Sequence, residues 1–570
     1  MNQLKKFHLT ETQAIINFDA YTCSSQLEIL TSKPFEMVLT QYIKRLRKTK
    51  NPIMLHFKGL RTQQFLEAYK LLMVDTYDVC LRKYPHLGQL FKHRDDFYRL
   101  TEKFYDYWRK IERFGVIGQP RAYAYNTPTD SLINTSDTFN GKILKLYRTI
   151  TQQILGHDFL VLRQLPAGVN INMVLVPHRF SYHEDYSQLQ GVGFISALLS
   201  RPPFMVYSNS NTRSGLFRPI DHNPLKDLSI NKLHYFCFPI YVGPLLAFVY
   251  VHRDFLHQGV GLSNLFEPVG YNTFKDQKPD LVYVYGIRED AYDGTYYHDQ
   301  DEDIFVGFVS RLEKNDYFGY LKKMLLTLHN VYMIKKAKLP IHGAMVKILL
   351  KNGNEKNVVV IGDSGAGKSE TLEALRVIGS DYITEMRVIY DDMGTFMIHN
   401  DKIVSIGTEI GAFIRLDDLD AGYAYQEMDR AIFLNPDQIN ARVILPITEF
   451  NFMMSQHEVD YLFYANNYVE TTEGLKFFDD VSEALDVFRR GARFAKGTTS
   501  EVGLVESYFA NPFGCVQMHD ETDVLLVEHL EMLFDQNIPV GELYTQLAVK
   551  GKHMNGPQLA AKKLLKHLLK

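Results

Sequence analysis

The sequence predicts an α/β protein with a helical region, a mixed α/β region and a C-terminal α/β domain, and three observations carry that assignment. Apolar residues recur at three- and four-residue spacing from about Phe35 to Arg113. Strand-like apolar runs follow between Ile171 and Tyr285. The run Val358–Ile361 then leads into Gly-Asp-Ser-Gly-Ala-Gly-Lys-Ser at 362–369, and on into helix-favouring Glu370–Leu375. A chain of 570 residues is too long for one core. With 46% hydrophobic and 23% charged residues its composition is that of an ordinary globular protein.

The helical region places Val38, Tyr42, Ile43 and Leu46, then Phe65, Tyr69 and Leu72, then Phe97, Leu100, Phe104, Trp108 and Ile111 on inward faces. The aromatic stripe Phe104, Tyr105, Trp108 is expected to be a packed core face. Thr127–Asn140 is rich in Thr, Ser, Asn, Asp and Pro and is expected to be a linker. Strands are expected at Ile171–Val176, His234–Tyr241, Pro244–Val251 and Leu281–Tyr285. The tract His298–Asp303 has no metal-ligand spacing and is expected to be a solvated boundary. The expected domains are therefore 1–135, 136–297 and 298–570. Leucines among lysines from Gln558 to Lys570 predict a terminal helix docked on the domain.

A net charge of −3 with no long block of one sign predicts neither nucleic acid nor membrane as partner. Cys23, Cys80, Cys237 and Cys515 stand far apart, which predicts buried thiols in a reducing compartment. No run approaches a membrane span, and no leader is legible at the N-terminus. A cytoplasmic protein is expected.

The segment 362–369 is a complete G-x-x-x-x-G-K-S loop between an expected strand and an expected helix. Glycines let backbone N–H groups curl around phosphate oxygens, and the helix N-terminus adds its positive end. Gly362, Asp363, Ser364, Gly365, Ala366, Gly367, Lys368, Ser369 and Glu370 are therefore expected to hold a nucleoside triphosphate, with Lys368 as point charge and Ser369 as a hydroxyl ligand of a divalent ion. Asp391-Asp392 follows the strand-like Arg387–Tyr390, where such enzymes hold the metal. His342 ends the strand-like Lys338–Ile341, and Lys322-Lys323 lies before it.

Taken together, Tyr317–Lys323, Leu339–His342, the loop ending Lys368-Ser369 and Asp391-Asp392 resemble the core of the ATP-dependent phosphoenolpyruvate carboxykinases. The resemblance runs on through Gly407–Arg415, Asn440–Pro446, Gly497–Phe513 and Lys550–His553, and so covers about residues 300–570 in order. It implies a phosphoenolpyruvate carboxykinase-like nucleotide-binding domain after the helical and mixed N-terminal regions. The implied reaction converts oxaloacetate and ATP into phosphoenolpyruvate, ADP and carbon dioxide. Lys323, His342 and Asp392 would ligate Mn2+, Ser369 and Asp391 would place Mg2+, and Lys368, Arg415 and Arg442 would neutralise the migrating phosphoryl group. Lys322 and Tyr317 would line the substrate side. The family's carboxylate-binding Arg-Ser-Pro-Lys-Asp-Lys-Phe motif has no counterpart beyond the dipeptide Arg213-Ser214. Gly-Asp-Ser-Gly-x-Gly-Lys-Ser-Glu also resembles the HPr kinase/phosphorylase branch, which implies as the alternative a kinase acting on a protein or small-molecule acceptor, and a nucleotide-binding regulator is the third class.

Overall fold

The structure, a computed structural model, describes residues 7–19, 25–118, 129–156, 168–178, 184–201, 203–212, 217–416, 431–496, 502–553 and 555–570. The chain divides into two compact units, 1–178 with 193–204, and 179–192 with 205–570. The boundaries expected at 135/136 and 297/298 do not coincide with this division. Segments at both places are built into the units instead of linking them.

In the first unit, the strands β1 (Phe7–Leu9), β2 (Gln13–Asn17), β3 (Glu112–Gly118), β4 (Ile171–Pro177) and β5 (Gly193–Ser200) neighbour one another in chain order. The pairs β2–β3 and β3–β4 are parallel. The expected helices are present as α1 (Gln26–Thr31), α2 (Lys33–Lys48), α3 (Thr62–Leu71), α4 (Tyr77–Lys83) and α5 (Arg94–Lys110). Ser25 and Ser32 cap α1 and α2 by accepting hydrogen bonds from the N–H groups of Glu28 and Phe35. Their apolar faces meet in one core that includes Leu39, Ile43, Phe65, Tyr69, Phe97 and Leu100. The expected linker is instead the start of a long helix, α6 (Thr129–Leu155). Its polar residues are used in packing: Ser136 is fully buried and accepts a hydrogen bond from Asn172 Nδ2 on β4 at 3.0 Å.

The second unit opens with a sheet of β6 (Tyr235–Val242), β7 (Leu245–His252), β8 (Leu281–Ile287), β9 (Thr295–Asp299) and β10 (Ile304–Ser310), with helix α7 (Leu256–Leu265) between β7 and β8. β6–β7 and β9–β10 are antiparallel, and β8 lies parallel to both β7 and β10. The acidic tract expected at a boundary is the end of β9 and its turn into β10. Asp299 is buried there and accepts the Tyr186 hydroxyl at 2.8 Å.

Helix α8 (Phe318–Lys335) then leads into the sheet that carries the glycine-rich loop. Its strands are β11 (Leu339–Leu350), β12 (Glu355–Ile361), β13 (Ile383–Tyr390), β14 (Met393–His399) and β15 (Lys402–Gly407). The chain continues through β16 (Gly411–Arg415), β17 (Ile432–Leu434), β18 (Arg442–Pro446), β19 (Tyr461–Asn466), β20 (Ala492–Lys496), β21 (Val502–Glu506) and β22 (Val540–Tyr544). Helix α9 (Lys368–Ile378) follows the loop, and α10 (Val481–Arg490), α11 (His519–Asp535) and α12 (Asn555–Leu568) come later.

β12 pairs antiparallel with β11 and parallel with β19, and β19 pairs parallel with β22. Val358 and Val360 pack into a cluster with Leu372 and Leu375 of α9 and Leu564 and Leu565 of α12, while Val359 and Ile361 face a second cluster with Phe488 of α10 and Leu526 of α11. A strand covered on both faces reads as an unbroken apolar run, which is what the sequence shows. The terminal helix α12 is docked as expected, with Leu564, Leu565 and Leu568 buried and Lys562, Lys563 and Lys566 exposed.

Cys80, Cys237 and Cys515 are buried free thiols; burial pushes Cys80 up to about 11 and Cys515 up to about 12. Cys23 lies outside the described residues. Among the described residues no helix is long and apolar enough to cross a membrane.

Candidate functional site

The glycine-rich loop joins the end of β12 to the start of α9. Gly365 and Gly367 adopt positive φ angles of 80° and 94°, the conformation that lets a short loop fold back on itself. At Gly367 a Cβ would also lie 2.5 Å from Thr545 Oγ1, so a side chain is excluded twice. Two neighbours pin the loop backbone: Thr545 Oγ1 donates to the Ala366 carbonyl at 2.6 Å, and Asn467 Nδ2 donates to the Gly365 carbonyl at 3.0 Å. Ser364 and Gly365 are exposed, and Glu370 is half-buried in the first turn of α9. Lys368 is buried, and its ammonium donates to the Gly362 carbonyl at 2.6 Å.

Asp363 is tied from below. Arg493 on β20 donates through Nε to Asp363 Oδ2 at 2.6 Å, and the Ser364 N–H donates to Oδ1 at 2.6 Å. Burial alone would raise this carboxyl; His342 and Arg493 outweigh it and hold it below the usual range.

Asp391 and Asp392 form the tight connection between β13 and β14. Ser369 donates to Asp391 Oδ1 at 3.1 Å, so a hydroxyl and a carboxylate meet at the mouth of the loop. These are hard oxygen donors of the kind Mg2+ takes. Burial, together with neighbouring Asp392, raises the Asp391 carboxyl.

His342 lies within β11, not at a strand end. It is the residue at which the strand stops pairing with β14 and Gly343 begins pairing with β12. Its Nδ1 donates to the Ala510 carbonyl at 2.6 Å, and its Nε2 stands 3.0 Å from Asp392 Oδ1. Phe509 and Ala510 both have positive φ, near 50°, an uncommon backbone for residues with a Cβ, and this turn aims the carbonyl at the imidazole. With Nδ1 committed, Nε2 faces the carboxylate either with a second proton or with a lone pair that can share a cation with it. Imidazole and carboxylate together form a donor pair suited to Mn2+.

The amine on Asp392 is that of Lys322, at 2.6 Å from Oδ2. The resemblance put Lys323 in the metal set. Neighbours on a helix leave it about 100° apart. Lys323 is buried with its ammonium 5.9 Å from the centre of the Phe217 ring. Lys322 also stands 3.1 Å from Glu409 Oε1, and Glu409 itself is almost fully buried. Burial therefore pushes the Glu409 carboxyl up to about 8, against the lowering pull of Lys322. Burial would likewise raise Asp392, but Lys322 and His342 prevail and hold it well below the carboxylate range.

Phe413 on β16 connects this cluster to the arginines. Lys322 lies 5.8 Å from the centre of its ring, and the guanidinium of Arg442, on β18, lies 5.2 Å from it. Arg415 and Arg442 are register partners across β16 and β18. Tyr317, at the N-cap of α8, packs against the same ring with centroids 6.3 Å apart.

No family model matches the chain, and no curated protein matches it.

Sequence reading gave no role to Arg493, Glu409, Asn467, Thr545 or the Ala510 carbonyl. Arg493, Asn467, Thr545 and the Ala510 carbonyl reach their partners from more than 100 positions away, and Glu409 meets Lys322 from a different element; the signal for Arg493, Asn467 and Thr545 is a polar residue inside an otherwise apolar strand or at its end. Arg213, Ser214 and 497–501 lie outside the described residues, as do 417–430. Lys550, Lys552 and His553 lie in a turn before α12.

Proposed function

We propose that the second unit is an ATP-dependent phosphotransferase of the phosphoenolpyruvate carboxykinase type, acting on oxaloacetate. The supporting observation is the continuous line of groups from the loop through Asp391, Asp392 and Lys322 to Phe413 and Arg442. A phosphoryl donor at one end would lie beside a cationic site for a small acid at the other.

In this reading the phosphates take over the loop N–H groups, and Lys368 exchanges the Gly362 carbonyl for a phosphate oxygen. Ser369 and Asp391 would hold Mg2+, and His342 with Asp392 would hold Mn2+, which when bound supplies Lewis acidity to a developing oxyanion. Lys322, held between Asp392 and Glu409, keeps a fixed positive charge on the acceptor side. Loss of carbon dioxide from oxaloacetate leaves the bond electrons as an enolate. Its oxygen attacks the terminal phosphorus as ADP departs, and Arg415 and Arg442 balance the moving charge.

Lys368→Ala tests the donor half: phosphoryl transfer should disappear while the folded protein persists, because the substitution removes one ammonium and leaves the hydrogen bonds from Thr545 and Asn467 that pin the loop. A manganese titration of wild type, His342→Ala and Asp392→Asn tests the second ion. Equal binding by all three would remove it from the scheme. ATP consumption with only a protein hydroxyl as acceptor would instead support the HPr kinase-like reading.

A further inference from the structure

The N-terminal unit contains an apolar cavity of about 100 Å³ between α2, α5 and α6, bordered by the aromatic stripe of α5. We infer that this cavity is a binding site for a small uncharged apolar molecule, about the size of one aromatic ring. Apolar cavities on this scale stay dry and take up benzene or xenon.

Three features support the assignment. First, the hydroxyls of Ser32, Tyr69, Thr101 and Tyr147 on the wall are committed to the protein. Thr101 donates to the Phe97 carbonyl and meets the Tyr69 hydroxyl, Ser32 donates to the Ile29 carbonyl, and Tyr147 donates to Glu102. A polar ligand would lose its water without replacement, so the site selects against one. Second, the bordering rings hold one another in place. Tyr105 stacks on Tyr147 with centroids 3.7 Å apart, and Phe35 meets Phe104 edge to face at 5.6 Å. The space therefore cannot be closed by one side chain turning inward without breaking a packed pair. Third, Phe35, Trp108 and Ile143 on its border are only half-buried, which leaves a route from solvent among the described residues.

Trp108 is the single tryptophan of the chain and lines the cavity, so its fluorescence reports on this site alone. The probe is bromobenzene, whose heavy atom quenches indole emission on contact. Titration of the full-length protein should give saturable quenching, and benzene should raise the melting temperature by mass action. Leu146→Phe and, separately, Ile143→Phe place a ring in the space and should weaken the saturable phase by about tenfold or more, with the benzene shift lost. Two fillings are used so that at least one folded variant, judged by a cooperative circular-dichroism melt, is compared. Linear quenching of equal slope in wild type and folded variant would overturn the inference. So would a benzene shift that survives the filling.

Discussion

Glu409→Gln isolates a strongly perturbed acid of the site. The wild-type carboxyl is raised from 4.5 to about 8, first by burial, so the folded state retains a proton that the unfolded chain has released over that range. The stabilisation is complete below the unfolded value and is lost as pH rises through about 8. Between about pH 5 and pH 8.5 that loss amounts to about 4 kcal/mol at most, at about 1.4 kcal/mol for each pH unit. Gln keeps the shape and does not titrate, so the variant should lack this slope. Urea unfolding followed by far-ultraviolet circular dichroism at several pH values and fixed ionic strength measures it. Parallel stability profiles for wild type and variant would show instead that Glu409 ionises freely and that its burial beside Lys322 does not hold a proton on it.

Other consequences follow from neighbouring groups. Arg493→Ala leaves the Asp363 carboxylate without its 2.6 Å partner and should loosen the loop, weakening ATP binding by about tenfold or more in an equilibrium titration with a fluorescent nucleotide. Arg442→Ala should lower kcat by about 100-fold while the ATP dissociation constant changes little, since its charge acts on the migrating group. Burial pushes the fully buried His329 down to about 4, so stability is lost as pH falls from 6.5 through that value, by about 3 kcal/mol, and His329→Gln should abolish this acid-side loss in the same unfolding series.

The local parts of this site were legible because each has a short-range cause. The loop needs glycine where φ is positive, the strand before it needs apolar residues on both faces, and an Asp pair at a strand end needs no partner to be seen. What was not legible depends on the fold. Whether Lys322 or Lys323 faces Asp392 is set by the rotation of α8, which adjacent identical residues cannot reveal. Glu409 is perturbed only because folding buries it beside Lys322. Thr127–Asn140 reads as a linker by composition, yet from Thr129 it belongs to a helix because tertiary contacts employ its Ser and Leu residues, with Ser136 and Leu132 buried. The aromatic stripe of α5 was read as core, and it is packed, yet it also borders a cavity. A periodicity shows which face turns inward and does not show how completely that face is filled.

In the proposed reaction the loop and the Lys322–Arg442 side cooperate in one phosphoryl transfer to a small acid. Phosphorus NMR of the full-length protein with ATP, Mg2+, Mn2+ and oxaloacetate tests it in one spectrum. The ATP γ-phosphate resonance should give way to that of phosphoenolpyruvate in step with ADP, with carbon dioxide released in equal amount and no change in Lys368→Ala. ATP that stays intact, or ADP formed with inorganic phosphate alone, would contradict it.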